Sequence, residues 1–430
     1  DRPKALHEVA GRSMLANVLS SAVAAGVGRV AVIVGPGRDD VGAEARRCVP
    51  DAHMFVQSER RGTAHAVLAA RAAIAEGCDD LLVLFADTPL LTAPTIGAMR
   101  GAIADGAAVA VLGFEAYNPF GYGRLLRDAA GRLLAIREEK DASEEERAVT
   151  LCNSGVVCAD AKTLFELLSK VQNNNAKGEY YLTDIVALGG AAGVTTHAVV
   201  GDEAETLGVN SRVELAEAEA AFQKRARIAA MEAGVTLIDP PSVFFSYDTQ
   251  IAADVIIEPN VFLGPGVKIA KGAHIYANCH IVQTEIGDSA NIGPFARFRP
   301  GAKLAAKVKI GNFVEVKNAN FGEGAKASHL AYIGDADVGA RANLGAGTIV
   351  CNYDGYDKYR TTIGEDAFIG SDTALVAPVT IGKRAYTGTG SVITKDVPDG
   401  ALAVARGDQR NVEGWSDRFR KQKQAEKDKK

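Results

Sequence analysis

From Ile251 onward an aliphatic residue returns every six positions, at Ile251, Ile257, Leu263, Ile269, Ile275 and Ile281. After one five-residue step the count resumes at Ile286 and continues through Ile292, Phe298, Leu304, Ile310 and Val316. It reappears at Val338, Leu344, Ile363, Ile369, Leu375, Ile381, Thr387 and Ile393. An amphipathic helix would repeat at three and four, and an isolated strand at two. A period of six belongs to a parallel β-helix, in which each side of a coil turns one aliphatic side chain inward. Glycine often follows the aliphatic residue, as at Ile286-Gly287 and Ile381-Gly382, and Gly264-Pro265-Gly266 marks a corner. Residues 351–362 (C-N-Y-D-G-Y-D-K-Y-R-T-T) do not fit the hexads and have to loop out. A solenoid buries the same core with or without such an insertion, so insertions tend to lie on a binding face.

The first half is patterned differently. Short apolar runs at residues 30–34, 81–85 and 109–114 predict strands, and an Ala-rich amphipathic stretch over 64–75, entered through Gly62-Thr63, predicts a helix. Strands alternating with helices imply a mostly parallel sheet with helices on both faces, an α/β Rossmann-like domain. In such sheets ligands sit at the carboxyl ends of the strands, where Asp87 stands. Residues 211–233 read as one helix stopped by Gly234, as a helix terminus requires. The chain therefore divides into a domain over 1–210, a linker helix over 211–234 and a β-helix over 235–430 with a basic tail.

With 430 residues and 47% hydrophobic content, two ordinary globular cores are expected. The apolar runs are far shorter than the ~20 residues a bilayer span needs, and no secretory signal opens the chain, so a cytoplasmic protein without membrane insertion is expected. The six cysteines form no C-x-x-C pair, which fits reduced thiols rather than a zinc knuckle or a disulfide framework. A net charge of −5 gives no reason to expect nucleic acid. The Lys- and Arg-rich residues 418–430 read as a solvated terminus.

Several motifs carry a resemblance that runs essentially end to end. In the first half they are R-P-K-A-L (Arg2 to Leu6), Q-S-E-R-R-G-T-A-H-A (Gln57 to Ala66), A-D-T-P-L (Ala86 to Leu90), G-Y-G-R (Gly121 to Arg124), N-N-N-A-K-G-E-Y-Y-L-T-D-I (Asn173 to Ile185) and G-V-N-S-R (Gly208 to Arg212). In the second they are G-P-F-A-R-F-R-P-G (Gly293 to Gly301), G-N-F-V-E-V-K-N (Gly311 to Asn318), H-L-A-Y-I-G-D (His329 to Asp335) and N-L-G-A-G-T-I-V-C-N-Y-D-G (Asn343 to Gly355). Together and in this order they resemble the bifunctional bacterial N-acetylglucosamine-1-phosphate uridylyltransferase and glucosamine-1-phosphate N-acetyltransferase. The resemblance implies a left-handed parallel β-helix, synthesis of UDP-N-acetylglucosamine for peptidoglycan and lipopolysaccharide, acetyl-CoA and UTP as co-substrates, and Mg2+ at the uridylyltransferase site.

Uridylyl transfer to a sugar phosphate needs positive charge, a metal and positioning. Lys4 contacts the phosphates by resemblance, although from its position alone a surface lysine is the better reading. Asp87 is chemically suited to hold Mg2+ through oxygen, or to cap a turn, and Asn210 would supply the second metal contact. Gln57, Gly62 and Thr63 resemble the uracil contacts. Gly123, Glu138 and Asn153 resemble the sugar-binding set, with the tyrosines of Y-Y-L-T-D packing around it. The family's chains open with a Gly-rich L-A-A-G-x-G-T-x-M loop that cradles the triphosphate, whereas this sequence opens at Asp1, after it. That loop is either outside the sequence at hand or absent from the molecule. The chain as it stands is expected to transfer uridylyl groups poorly or not at all.

Acetylating an amine needs a base, a phosphate pocket and room for acetyl-CoA. His329 breaks the hexad register beside a glycine-rich coil; histidine is a residue type suited to proton transfer, and by resemblance this one is the general base. Arg299 and Lys317 would hold the sugar phosphate, with Tyr332 and Asn343 as further polar contacts. Ala346, Asn352, Tyr353, Ser371 and Arg406 match positions lining the acetyl-CoA groove. At Thr389 the family more often carries alanine, so a backbone contact is expected there. In the family it resembles, the acceptor and acetyl-CoA sites lie between neighbouring β-helices, so the resemblance implies a homotrimer.

Two other readings compete. A related sugar-nucleotide pyrophosphorylase could use its β-helix only to regulate or oligomerise, but such a coil has no need of His329, Arg299, Lys317 and the Asn352-Tyr353 loop. An ice-binding face would demand a flat array of threonines, for which Thr387 and Thr389 are too few. His274 and His280, six apart, invite a zinc site, but catalytic zinc takes three protein ligands and no third histidine stands in register.

Overall fold

A computed structural model describes residues 2–74, 77–129, 131–175 and 177–428. Ala75 of the expected helix, Ala176 of the N-N-N-A motif and the last two residues of the basic tail lie outside the described residues. The chain forms two compact units, Asp1–Ala226 and Arg227–Lys430.

The first unit is an α/β domain. The expected strands are present as Ala31–Val34, Asp80–Val83 and Val109–Glu115. The expected helix over 64–75 is two pieces, Thr63–Ala69 and Arg71–Ile74, separated at Ala70. Val109 and Val111 face a large apolar cluster with Leu164, Leu167 and Ile185, whereas Ala110 and Leu112 face a second one with Leu91 and Met99. This alternation is what a strand with helices on both faces requires.

The sheet itself departs from the mostly parallel expectation. Thr196–Gly201 runs parallel to Val109–Glu115, but the ten-residue strand Leu151–Asp160 pairs antiparallel with both Asp80–Val83 and Val109–Glu115. Arg124–Arg127 and Leu133–Arg137 add an antiparallel hairpin. For the hairpin the cause is local, because a short connection joins antiparallel strands whereas a parallel pair needs a long crossover; Leu151–Asp160 instead reaches partners distant in sequence. Asn153, Ser154 and Gly155 interrupt the apolar run of Leu151–Asp160, which hides it as a strand. Ala31–Val34 pairs in parallel with His53–Val56 as a separate two-stranded sheet. Between it and Asp80–Val83 lies a groove of about 770 Å3 whose walls include Val32, Val34, Leu82, Leu84, Gln57 and Thr63.

The helix Arg212–Glu232 begins with a reciprocal cap. Ser211 Oγ accepts from Glu214 N at 3.2 Å, and Glu214 Oε2 accepts from Ser211 N at 2.7 Å. It ends where Gly234, at φ +91°, donates to the Met231 carbonyl.

The second unit is the parallel β-helix that the hexads predict, left-handed as the resemblance implies. Along one side Ile256 pairs with His274, His274 with Asn291 and Asn291 with Lys309, all parallel, so one coil takes three sides. The hexad residues are its core: Ile257, Leu263, Ile275, Ile292, Ile310 and Ile369 are fully buried. A second inward position lies two residues earlier and holds smaller side chains, among them Val255, Ala273, Ala290, Ala325 and Thr348. The corner just before it is left-handed, at Asn260 (φ 59°), Asn278 (φ 63°), Asn318 (φ 45°) and Asp335 (φ 49°). The insertion enters after Cys351 and forms a small hairpin with Tyr353 opposite Lys358.

Candidate functional site

In the first unit three clusters assemble from residues far apart in sequence. Lys4 opens a single 3-10 turn, Asp87 follows the strand Asp80–Val83, and Asn210 precedes the helix Arg212–Glu232. Lys4 Nζ donates to Asp87 Oδ2 at 2.6 Å and to Asn210 Oδ1 at 2.9 Å. Val209 N donates to the Asp87 carbonyl at 2.9 Å, which ties the two loops together. Two oxygens thus converge on one point, which an ammonium occupies. This hard, all-oxygen set suits a divalent cation that takes its remaining ligands from phosphates and water.

Gln57 Nε2 donates to the Gly62 carbonyl at 3.2 Å, and Thr63 Oγ1 accepts from Leu182 N at 3.0 Å. Gly62 has φ +113°, and a Cβ there would meet the Tyr180 carbonyl at 2.5 Å, so only glycine fits. Ala64 N donates to that same carbonyl at 3.0 Å. Through Tyr180 to Thr183 this segment reaches the third cluster, where Thr183 Oγ1 donates to Glu138 Oε1 at 3.3 Å. Asn153 N donates to the Gly123 carbonyl at 2.8 Å, and Asn153 Oδ1 accepts from Gly155 N at 3.0 Å. Burial raises the pKa of Glu138, which the Thr183 hydrogen bond and Lys177 only partly oppose. The backbone of Tyr180, expected to pack by the sugar set, is hydrogen-bonded to the loop of Gly62 and Thr63.

In the β-helix, parallel pairing stacks the polar residues one coil above another. Arg299 is in register with Lys317, and Glu315 with Tyr332. Glu315 accepts from Arg299 at 3.1 Å and from Arg297 at 3.2 Å. His329 ends the strand Lys326–His329 in register with Asn312, and its Nδ1 lies 2.6 Å from Asn312 Oδ1. The amide oxygen can only accept, so this contact calls for the hydrogen on Nδ1, and in the neutral ring that leaves the lone pair on Nε2. Asn343 is in register with Lys326, on the same side of the coil as His329.

Ala346, Ser371 and Thr389 fall on one corner of successive coils. The Ala346 carbonyl accepts from Asp372 N at 2.7 Å, the Ser371 carbonyl from Gly390 N at 2.8 Å, and the Thr389 carbonyl from Arg406 Nη1 at 2.7 Å. Tyr353 is 58% exposed, with its hydroxyl on the Gly355 carbonyl at 2.6 Å. His274 stacks on Tyr276 at 4.0 Å and meets Glu258 at 3.1 Å, whereas His280, in a different sheet, stacks on Phe262 at 4.9 Å.

Sequence reasoning missed Asp335. It accepts from Lys317 Nζ at 3.0 Å, from Asn318 Nδ2 at 2.6 Å and from the Asn352 amide. Burial works against its ionisation, but these three donors outweigh burial and hold the carboxyl below its ordinary range. Asn312 was missed for the same reason. Each partner lies one coil away, and the only signal is the recurrence of Asn318, Asp335 and Asn352 at the coil period.

Fold and sites together define a two-domain transferase, a nucleotidyltransferase followed by a hexapeptide-repeat acyltransferase. The MobA-like NTP transferase domain matches residues 1–149, and the bacterial transferase hexapeptide (six repeats) matches residues 360–395. The chain is 56% identical over 421 residues to the "Bifunctional protein GlmU" of Bradyrhizobium sp. (strain ORS 278), covering 98% of this chain and 94% of that one. It is 54% identical to that of Azorhizobium caulinodans (96% and 92% covered) and 51% identical to that of Agrobacterium fabrum (99% and 94% covered). The chain belongs to this family of bifunctional GlmU proteins. Among the described residues no helix is long and apolar enough to cross a membrane.

Proposed function

We propose that this protein makes UDP-N-acetylglucosamine in two steps, acetylating glucosamine-1-phosphate from acetyl-CoA and then joining the product to the uridylyl group of UTP with release of pyrophosphate. We assign the uridylyl reaction to residues 1–210 and the acetyl reaction to 235–430, with 211–234 as the connector. The reading is supported above all by the polar residues stacked on neighbouring coils, Arg299 in register with Lys317 on one side and His329 in register with Asn312 on another. In this reading, His329 Nε2 takes a proton from the ammonium of the acceptor. The free amine attacks the thioester carbonyl and the C–N bond forms; the C–S bond breaks, and the second proton shed by the nitrogen goes to the departing sulfur, so that CoA leaves as the thiol. Arg299 and Lys317 hold the phosphate of the acceptor, and Tyr332 and Asn343 its hydroxyls. The corner of Ala346, Ser371 and Thr389, with Arg406 and the insertion at Asn352 and Tyr353, receives acetyl-CoA.

In the first unit Gln57, Gly62 and Thr63 read the uracil edge, and Gly123, Glu138 and Asn153 the sugar. Asp87 and Asn210 would hold Mg2+, which when bound supplies positive charge against the phosphates. Lys4 places a second cation beside them and orients the carboxylate and the amide. The protein acts as a cytoplasmic homotrimer. The exposed aromatic stacks of the β-helix, Phe295 on Phe313 at 5.2 Å and Phe368 on Tyr386 at 5.3 Å, supply apolar surface for that contact.

Free thiol release from acetyl-CoA tests the acetyl step. Release should require glucosamine-1-phosphate and fall about 100- to 10,000-fold in His329→Ala, the range for a lost general base. No release from the folded protein would instead make the β-helix a scaffold.

A further inference from the structure

Two aspartates of one strand, Tyr332–Val338, hold the two ends of the insertion. At its entry the Asn352 amide donates to Asp335. At its exit Arg360 donates to Asp337 Oδ1 at 2.6 Å and to the Ala336 carbonyl at 3.2 Å. The Asn352 carbonyl accepts from Tyr359 N at 2.9 Å, which closes the loop on itself.

The two aspartates are not equivalent. Asp337 and Arg360 are 43% and 39% exposed, so water competes for both. Asp335 and Lys317 are 10% and 17% exposed, and the other donors on Asp335 are Lys317 and Asn318. A carboxylate in that position cannot relax into water if it loses a donor. One acceptor therefore sets both the Lys317 ammonium and the loop entry.

We propose that Asp335 is a positioning residue that couples the two substrate subsites of the β-helix, fixing Lys317 for the acceptor phosphate and, through Asn352, the loop against which acetyl-CoA lies. The proposal rests on the acetyl-transfer reading above. It implies that a change on the acetyl-CoA side is felt on the sugar-phosphate side, although the two groups of residues need not touch a common ligand.

The test is steady-state acetyl transfer by the full chain carrying Asp335→Asn, Asn352→Ala, both together, or Asp337→Asn. Asparagine tolerates the left-handed backbone of position 335, so the first variant keeps the corner. Its amide cannot accept from all three donors. Asp335→Asn should raise the KM for acetyl-CoA about tenfold, the scale of one lost hydrogen bond to a charged group. Asn352→Ala should raise the KM for glucosamine-1-phosphate as well as for acetyl-CoA, and should add little on top of Asp335→Asn. Asp337→Asn should move only the acetyl-CoA value. Tryptic cleavage after Lys358, independent of activity, should be faster in Asp335→Asn. Wild-type KM values and cleavage in Asp335→Asn, or an Asn352→Ala effect confined to acetyl-CoA, would overturn the coupling. Should Asp335→Asn not fold, Asn352→Ala alone decides through its effect on the sugar-phosphate KM. A wild-type chain that transfers no acetyl group would instead remove the acetyl-transfer reading itself.

Discussion

The Glu44 carboxyl is held down at about 2 by its hydrogen bonds to Arg47, which prevail over burial and are joined by one from Ser13 Oγ. A carboxylate whose pKa is depressed on folding stabilises the fold fully above its unfolded value of 4.5, and that contribution is lost as pH falls toward 2. Glu44→Gln should therefore lower the Tm at neutral pH, and the gap to wild type should narrow steadily as the pH is taken from 4.5 toward 3. Equal gaps at both ends would show that the charge is not what matters. Thiols behave in the opposite sense: burial pushes Cys158 up to about 12 and Cys279 up to about 11. Both should resist maleimide at pH 8 until the protein is unfolded, while exposed Cys78 is modified at once. At this scale the sequence shows the residue types that the proposed chemistry calls for, such as His329, Lys317 and Asp87. It conceals what holds them, because Asn312 and Asp335 act across coils and carry no local signature.

Elements were legible where burial imposes a period. Each coil side must turn one aliphatic residue into the prism, and Ile292, Ile310 and Ile369, named from spacing alone, are fully buried. The helix Arg212–Glu232 was equally plain, because its Ser211 cap and Gly234 stop are local chemistry. Leu151–Asp160 was not, because the strands it pairs with lie elsewhere in the chain and polar residues break its run. Packing between coils also sets where side chains cannot go. A Cβ on Gly311 would run into the Ser328 carbonyl, in the strand that ends at His329. Gly311→Ala should cost about 1–3 kcal/mol, as overpacking does, and should lower acetyl transfer more than the loss of folded protein accounts for. Urea midpoints measured beside thiol release separate the two effects.

Over the whole molecule, each compact unit carries its own core, the first in helix-covered sheet layers and the second inside the coil. Calorimetry should resolve two transitions, with acetyl-CoA raising one and a uridine nucleotide the other. A single transition moved by both ligands would show that the units unfold as one. The second unit is built at some expense to itself. Left-handed backbone costs a typical non-glycine residue about 1–2 kcal/mol and Asn or Asp less, and the coil adopts it at Asn260, Asn278, Asn318, Asp335 and Arg341 among others. Glycine would turn those corners without strain, but it has nothing to offer a neighbour. At Asn318 and Asp335 the strained corner is what allows a polar group to stand at the edge of the prism, repeated once per coil at a fixed height. A coil cornered wholly in glycine would make a sturdier rod with no place on which to build an enzyme.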